Sequence, residues 1–110
     1  MLTTTIDDAK LQEIVRRLVE AVEPDRIILF GSRARGDAGP DSDLDLLIIK
    51  DSDAPRHRRT IPAYNALTGL GIPTDIIWRT PAEIADWSRV PNHVVTRAMR
   101  EGRVLYERAS

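Results

Sequence analysis

Two short, uninterrupted apolar runs, Ile27-Ile28-Leu29-Phe30 and Leu46-Leu47-Ile48-Ile49, constrain this chain more than any other feature. Runs of this length without polar alternation read as strands buried inside a domain. What separates them is equally restrictive. Gly31-Ser32 closes the first run, ten residues follow, and Asp43-Leu44-Asp45 opens the second. The centre of the fold is therefore a strand from Arg26 to Phe30, a loop over 31–42 rich in Gly, Ser, Asp and Pro, and a strand over 43–49 with two acids at its mouth.

The flanking segments supply the helices. Leu11, Ile14, Val15, Leu18, Val19 and Val22 recur at helical spacing and make one apolar stripe with charged residues opposite. Thr5 or Asp7 can cap its start, and Pro24 ends it. The segment 55–71 reads as helical with Tyr64, Leu67 and Leu70 toward the core. Pro62 predicts a kink or a restart there, because a mid-helix proline loses a hydrogen bond and clashes with the preceding turn. A third strand is expected over 72–78. Thr80-Pro81-Ala82-Glu83 then forms a capping box with proline at the first helical position. A last helix over 92–101 ends at Gly102, and Val104-Leu105-Tyr106 is extended. There is no repeat, low-complexity tract or linker. The 110 residues are expected to form one domain, 1–110, of the α/β (α+β) class: a small mixed β-sheet packed with helices.

Composition narrows the function. A net charge of −1, from 16 basic and 17 acidic residues, argues against a protein that holds nucleic acid by bulk positive charge. The absence of cysteine excludes disulfides, thiol catalysis and Cys-based zinc sites, and is compatible with a reducing cytosol. No apolar run approaches the roughly 20 residues needed to span a bilayer, and Met1-Leu2-Thr3-Thr4-Thr5 lacks a signal-peptide pattern. A cytoplasmic protein that makes no use of a membrane is the expectation.

The acids carry the chemistry. Alternation along a strand puts Asp43 and Asp45 on one face, where two carboxylates repel unless a cation sits beside them. Mg²⁺, a hard cation held by a few carboxylates and shared with substrate phosphates, supplies that need. Asp75, beside Ile76-Ile77-Trp78, offers a third carboxylate if the second and third strands are neighbours. Three converging acids are the constellation of a two-metal phosphoryl-transfer site. Gly31 and Ser32 complement them. A strand ending in Gly-Ser and turning into a short helix exposes backbone N–H groups to a triphosphate, the Ser32 hydroxyl can bond a phosphate oxygen, and Arg33 and Arg35 can orient phosphates.

Gly31-Ser32-Arg33-Ala34-Arg35-Gly36 followed by Asp41-Ser42-Asp43-Leu44-Asp45 resembles the signature of the DNA-polymerase-beta-like nucleotidyltransferase superfamily, and more narrowly the minimal nucleotidyltransferases of prokaryotes. The resemblance runs over most of the chain. It implies that Asp43 and Asp45 bind two Mg²⁺ ions, that Asp75 completes the site and helps activate the acceptor, and that Gly31 and Ser32 hold the triphosphate, with ATP as the expected nucleotide. It also implies a partner: a small helical HEPN-type toxin that the nucleotidyltransferase, as antitoxin, silences by adding AMP to it. A domain this small has little surface for an acceptor pocket of its own, which again points to a partner or a homo- or hetero-oligomer. Two other outcomes stay open. One is an antitoxin that acts by binding and occlusion alone, and the other is a nucleotidyltransferase acting on a small molecule or on RNA.

Each feature also has a structural reading. Alone, residues 31–45 suit a polar loop whose Asp and Ser serve turns and caps; together, the two halves favour the catalytic reading. Asp75 can instead be a strand-end acid paired with an arginine. Gly31 to Gly36 has the outer glycine spacing of a phosphate-binding NTPase loop, but Asp37 stands where lysine is required. Asp41-x-Asp43-x-Asp45 opens like an EF-hand loop, yet Leu46 occupies the glycine position and Ser52 the glutamate position. Arg56, His57, Arg58 and Arg59 either steer a nucleotide or an RNA acceptor or form a solvated helix face. His57 and His93 lack a second ligand at metal spacing. Trp78 and Trp87 read as core or interface residues, and Tyr106 as core or an exposed modification site.

Overall fold

The apolar stripe of residues 11–22 folds as α1 (Asp8–Val22), burying Leu11, Ile14 and Leu18. It ends as the proline predicts. Glu23 turns into the left-handed region at φ 47°, its N–H still reaching the Val19 carbonyl at 3.1 Å, and Pro24 stops the helix. The computed structural model describes residues 8–36, 43–87 and 93–109, so the candidate caps Thr5 and Asp7 lie outside the described residues.

From there the chain runs through β1 (Arg26–Phe30), α2 (Ser32–Arg35), β2 (Leu44–Ile49), α3 (Arg56–Arg59), α4 (Ile61–Ala66), β3 (Thr74–Arg79), α5 (Pro81–Trp87), α6 (Val94–Glu101) and β4 (Arg103–Glu107). The strands form one mixed sheet in the order β3-β2-β1-β4. β1 is antiparallel to both β2 and β4, whereas β2 and β3 run parallel. A parallel pair needs a crossover connection, and α3 and α4 provide it.

Both faces of the sheet are covered, which explains why the two central runs lack polar alternation. Ile27, Leu29, Leu44, Leu46, Ile48, Ile76 and Trp78 pack on one face with Leu11, Ile14 and Leu18 of α1 and Ala63 of α4. Ile28, Phe30, Leu47, Ile49 and Ile77 face the other side, against Ile84 of α5 and Ala98 and Met99 of α6.

Several details differ from expectation. The 55–71 segment is two short helices, with Thr60 as the break and Pro62 near the N-terminus of the second, where its missing N–H costs nothing. Tyr64 does not face the core: it is 41% exposed, and its hydroxyl accepts a hydrogen bond from the sheet edge. β3 begins at Thr74, two residues later than read, because Pro73 offers only a carbonyl, which accepts the Leu44 N–H at 2.9 Å. Pro81 and Glu83 open α5 as predicted, with the Thr80 N–H donating to Glu83 Oε1 at 2.9 Å and the Glu83 N–H to Thr80 Oγ1 at 3.2 Å. α6 is capped by His93, whose Nδ1 accepts from the Val95 N–H at 3.1 Å; Asn92, the expected start, is outside the described residues. The extended run after Gly102 proves to be the edge strand β4.

Candidate active site

Strand register places the acids. Asp45 is the Cα partner of Phe30 on β1 and of Asp75 on β3. Residues paired across a ladder project to the same face, and neighbouring strands lie about 4.8 Å apart. Asp45 and Asp75 are therefore side by side at one end of the sheet, on the face that carries Ile28, Leu47 and Ile77. Asp43, two residues before Asp45 and immediately ahead of β2, is exposed at the mouth of that strand. The neighbour relation between the second and third strands, on which convergence depended, is present.

Gly31 completes this end of the sheet. Its φ of 77° lies in the left-handed region, and its bare Cα faces the Asp45 side chain. A Cβ built there would collide with Asp45 Oδ2 and stand 3.2 Å from Cγ, so the glycine makes the room that the carboxylate occupies. The chain then closes into α2, where the Ala34 N–H donates to the Gly31 carbonyl at 3.1 Å. α2 is a single turn, too short for a sizeable helix dipole; any phosphate hold comes from the N–H groups of the turn itself. Ser32 and Arg35 belong to α2 by their backbone, and their side chains lie outside what the structure describes. Arg33 is half-buried, and both it and Asp45 engage other groups of the chain.

Among the described residues no arginine pairs with the Asp75 carboxylate, which is exposed at the start of β3. The three acids do not close into a tight cage. Among the described residues no three His, Cys, Asp or Glu side chains are grouped closely enough to hold a metal ion. Asp45 and Asp75 are brought together, with Asp43 at the open side. The donor set nevertheless fits a hard divalent cation: carboxylates only, in a half-open site, as suits Mg²⁺ shared with phosphates.

The remaining candidates separate. Arg56 and Arg59 turn toward Glu83 of α5, at 3.1 Å and 2.6 Å, while His57 and Arg58 stay exposed. Half of the basic cluster thus joins helices. Burial pushes the Glu83 carboxyl up, but hydrogen bonds from Arg59, the Thr80 N–H and Arg56 outweigh it and hold it at about 2. His93 stacks on Trp87 with ring centroids 4.1 Å apart, and Trp78 is a core residue whose indole N–H donates to the Lys50 carbonyl at 2.8 Å. Tyr106 is half-buried against the α1 side of the sheet. Sequence reasoning missed the Tyr64 hydroxyl, which accepts the N–H of Ile76, next to Asp75, at 2.8 Å. No sequence signal announces that contact, since it exists only because β3 is an outer strand.

A sheet of order β3-β2-β1-β4 with a Gly-led turn beside an Asp-x-Asp strand defines a class. Residues 9–105 match the family model described as nucleotidyltransferase domain, and the chain belongs to that family. Its fold is similar to that of a nucleotidyltransferase from Sulfolobus solfataricus at 23% identity and a TM-score of 0.63, over 90% of this chain and 79% of that one. It is also similar to a toxin–antitoxin structure containing AMP-PNP, at 19% identity and a TM-score of 0.63, over 89% of this chain and 73% of that one. A third similar structure is the toxin–antitoxin MntA-HpeT with two Asp-to-Glu substitutions, at 17% identity, a TM-score of 0.63 and the same coverage, 89% and 73%. At these identities the likeness is one of fold. No match is found among curated proteins. Among the described residues no helix is long and apolar enough to cross a membrane.

Proposed function

We propose that this chain is a Mg²⁺-dependent nucleotidyltransferase that moves AMP from ATP onto a hydroxyl of a protein acceptor, and that the acceptor is a helical HEPN-type toxin for which it is the antitoxin. The observation that carries the catalytic part is the register of Asp45 with Asp75, beside a glycine whose missing side chain accommodates the Asp45 carboxylate. The partner reading rests on likeness of fold. Two structures of similar fold are toxin–antitoxin assemblies, one with AMP-PNP and one with two aspartates, two positions apart, replaced by glutamate. Asp43 and Asp45 have the same spacing.

In this reading Asp43, Asp45 and Asp75 would hold Mg²⁺, which when bound neutralises phosphate charge and polarises the α-phosphate. The N–H groups around Gly31 and the Ser32 hydroxyl bind the triphosphate, with Arg33 and Arg35 orienting it. Asp75, exposed and with no arginine partner among the described residues, takes the acceptor's proton. The acceptor oxygen forms a bond to the α-phosphorus, the bond from that phosphorus to the bridging oxygen breaks, and pyrophosphate leaves. Positioning and charge neutralisation supply most of the acceleration.

The test is release of pyrophosphate from ATP by the purified chain with its helical partner. Wild type should release it only with Mg²⁺, and Asp45→Asn should release none while keeping the wild-type circular dichroism spectrum. Wild-type activity in Asp45→Asn would sink the assignment.

A further inference from the structure

We propose that Tyr64 is a positioning residue for Asp75, acting through the peptide unit that joins Asp75 to Ile76; this rests on Asp75 being the acid that takes the acceptor's proton. β3 is the last strand on its side of the sheet, with β2 as its neighbour within it. Outward-pointing N–H groups of an edge strand have no ladder partner. The Ile76 N–H finds one in the Tyr64 hydroxyl, at 2.8 Å. A trans peptide points its C=O and N–H in opposite directions. With the Ile76 N–H directed outward to Tyr64, the Asp75 carbonyl is directed inward toward β2, where Asp75 pairs with Asp45. The peptide plane is thus held from both sides. Its orientation sets ψ at Asp75, and with it the direction in which the carboxylate leaves the strand.

The strut has a firm base. α4 is anchored by Ala63, which is fully buried, and its end is fastened to α1 by Arg17 Nη1, which donates to the carbonyls of Ala66 at 3.4 Å and Thr68 at 3.1 Å. The Tyr64 N–H donates to the Thr60 carbonyl at 2.9 Å. Tyr64 is an exposed residue and is not part of the core cluster. A buried tyrosine would be explained by packing; this one presents its hydroxyl to the backbone beside a site acid. Its oxygen accepts the bond, so the contact survives any change in the phenol's own proton donation.

The experiment compares the full chain with Tyr64→Phe, which removes only the hydroxyl, and with Ile61→Ser, a control on the same helix at another exposed position. In Tyr64→Phe, amide exchange at Ile76 should quicken about tenfold or more. The response of the Asp75 side-chain carboxyl carbon to added Mg²⁺, followed by NMR, should weaken. The kcat for pyrophosphate release should fall about tenfold with KM for ATP unchanged, as small misplacements of a reacting group do. The Ile61→Ser control should match wild type throughout. Unchanged Ile76 exchange and an unchanged Asp75 response in Tyr64→Phe would overturn the proposal, as would an equal loss of both in Ile61→Ser. If wild type releases no pyrophosphate, the enzymatic reading fails, and the exchange and titration measurements still decide the role of Tyr64.

Discussion

Gly31 meets two demands that no other residue type meets together. Its φ of 77° is costly for a side chain, and the space where a Cβ would stand is taken by the Asp45 carboxylate. Gly31→Ala is expected to lower stability by about 1–3 kcal/mol and to displace Asp45, weakening ATP binding more than the loss of stability explains. Thermal unfolding and an ATP titration on the same sample check both halves. Gly102 is a different case. It has an ordinary extended conformation, but a Cβ there would meet the Ala98 carbonyl and, at 2.5 Å, the Ile28 side chain. It is glycine because α6 and β1 come together there. Asp43→Asn is expected to abolish transfer without lowering Tm, since it removes one charge from a repelling pair on one strand face; a Tm well below wild type would mean that Asp43 has a structural duty. The relation of Asp43, Asp45 and Gly31 was legible because covalent spacing and strand alternation fix it locally. The Tyr64 contact was not, because it depends on which strand ends the sheet.

Among the elements, the join between α3 and α5 carries the clearest pH signature. Glu83 takes both Arg56 and Arg59 and caps its own helix, and its pKa of about 2 lies below the ordinary 4.5. A carboxyl lowered on folding contributes stability that is complete above its ordinary pKa and is lost as pH falls toward the folded value. The window is therefore from 4.5 down to about 2. Burial and the nearby Arg56 charge push the Arg79 guanidinium below its ordinary range, and Glu83 pushes it back, so removing this carboxylate leaves the repulsion of Arg79 by Arg56 and Arg59 unopposed. Glu83→Gln is expected to cost about 2 kcal/mol at neutral pH, as for charge-assisted hydrogen bonds in a partly buried setting. The cost should shrink on acidification through that window. Urea unfolding of both chains at neutral and acid pH measures it, and a cost that stays constant with pH would rule out this origin. The capping box was readable because it is a local four-residue pattern. Its second use, as an anchor for α3, joins residues 24 and 27 positions apart, which no local pattern records.

For the whole molecule, the decisive choice is the strand order β3-β2-β1-β4, which sets Asp45 between Phe30 and Asp75 and puts helices on both faces. The two unalternating apolar runs foretold burial, whereas the sequence left the place of Asp75 conditional on the second and third strands being neighbours, a pairing that no local pattern records. β4, at the far edge, was seen only as an extended run, since its pairing with β1 bridges most of the chain. The central claim concerns what this arrangement does: the acids at one end of the sheet transfer a nucleotide to a protein. The intact mass of the helical partner after co-production with this chain, against co-production with Asp43→Asn, tests it most directly. The account predicts a mass gain of one or more nucleoside monophosphates with wild type and none with the variant. An unmodified partner in both cases, or one modified equally in both, would contradict it.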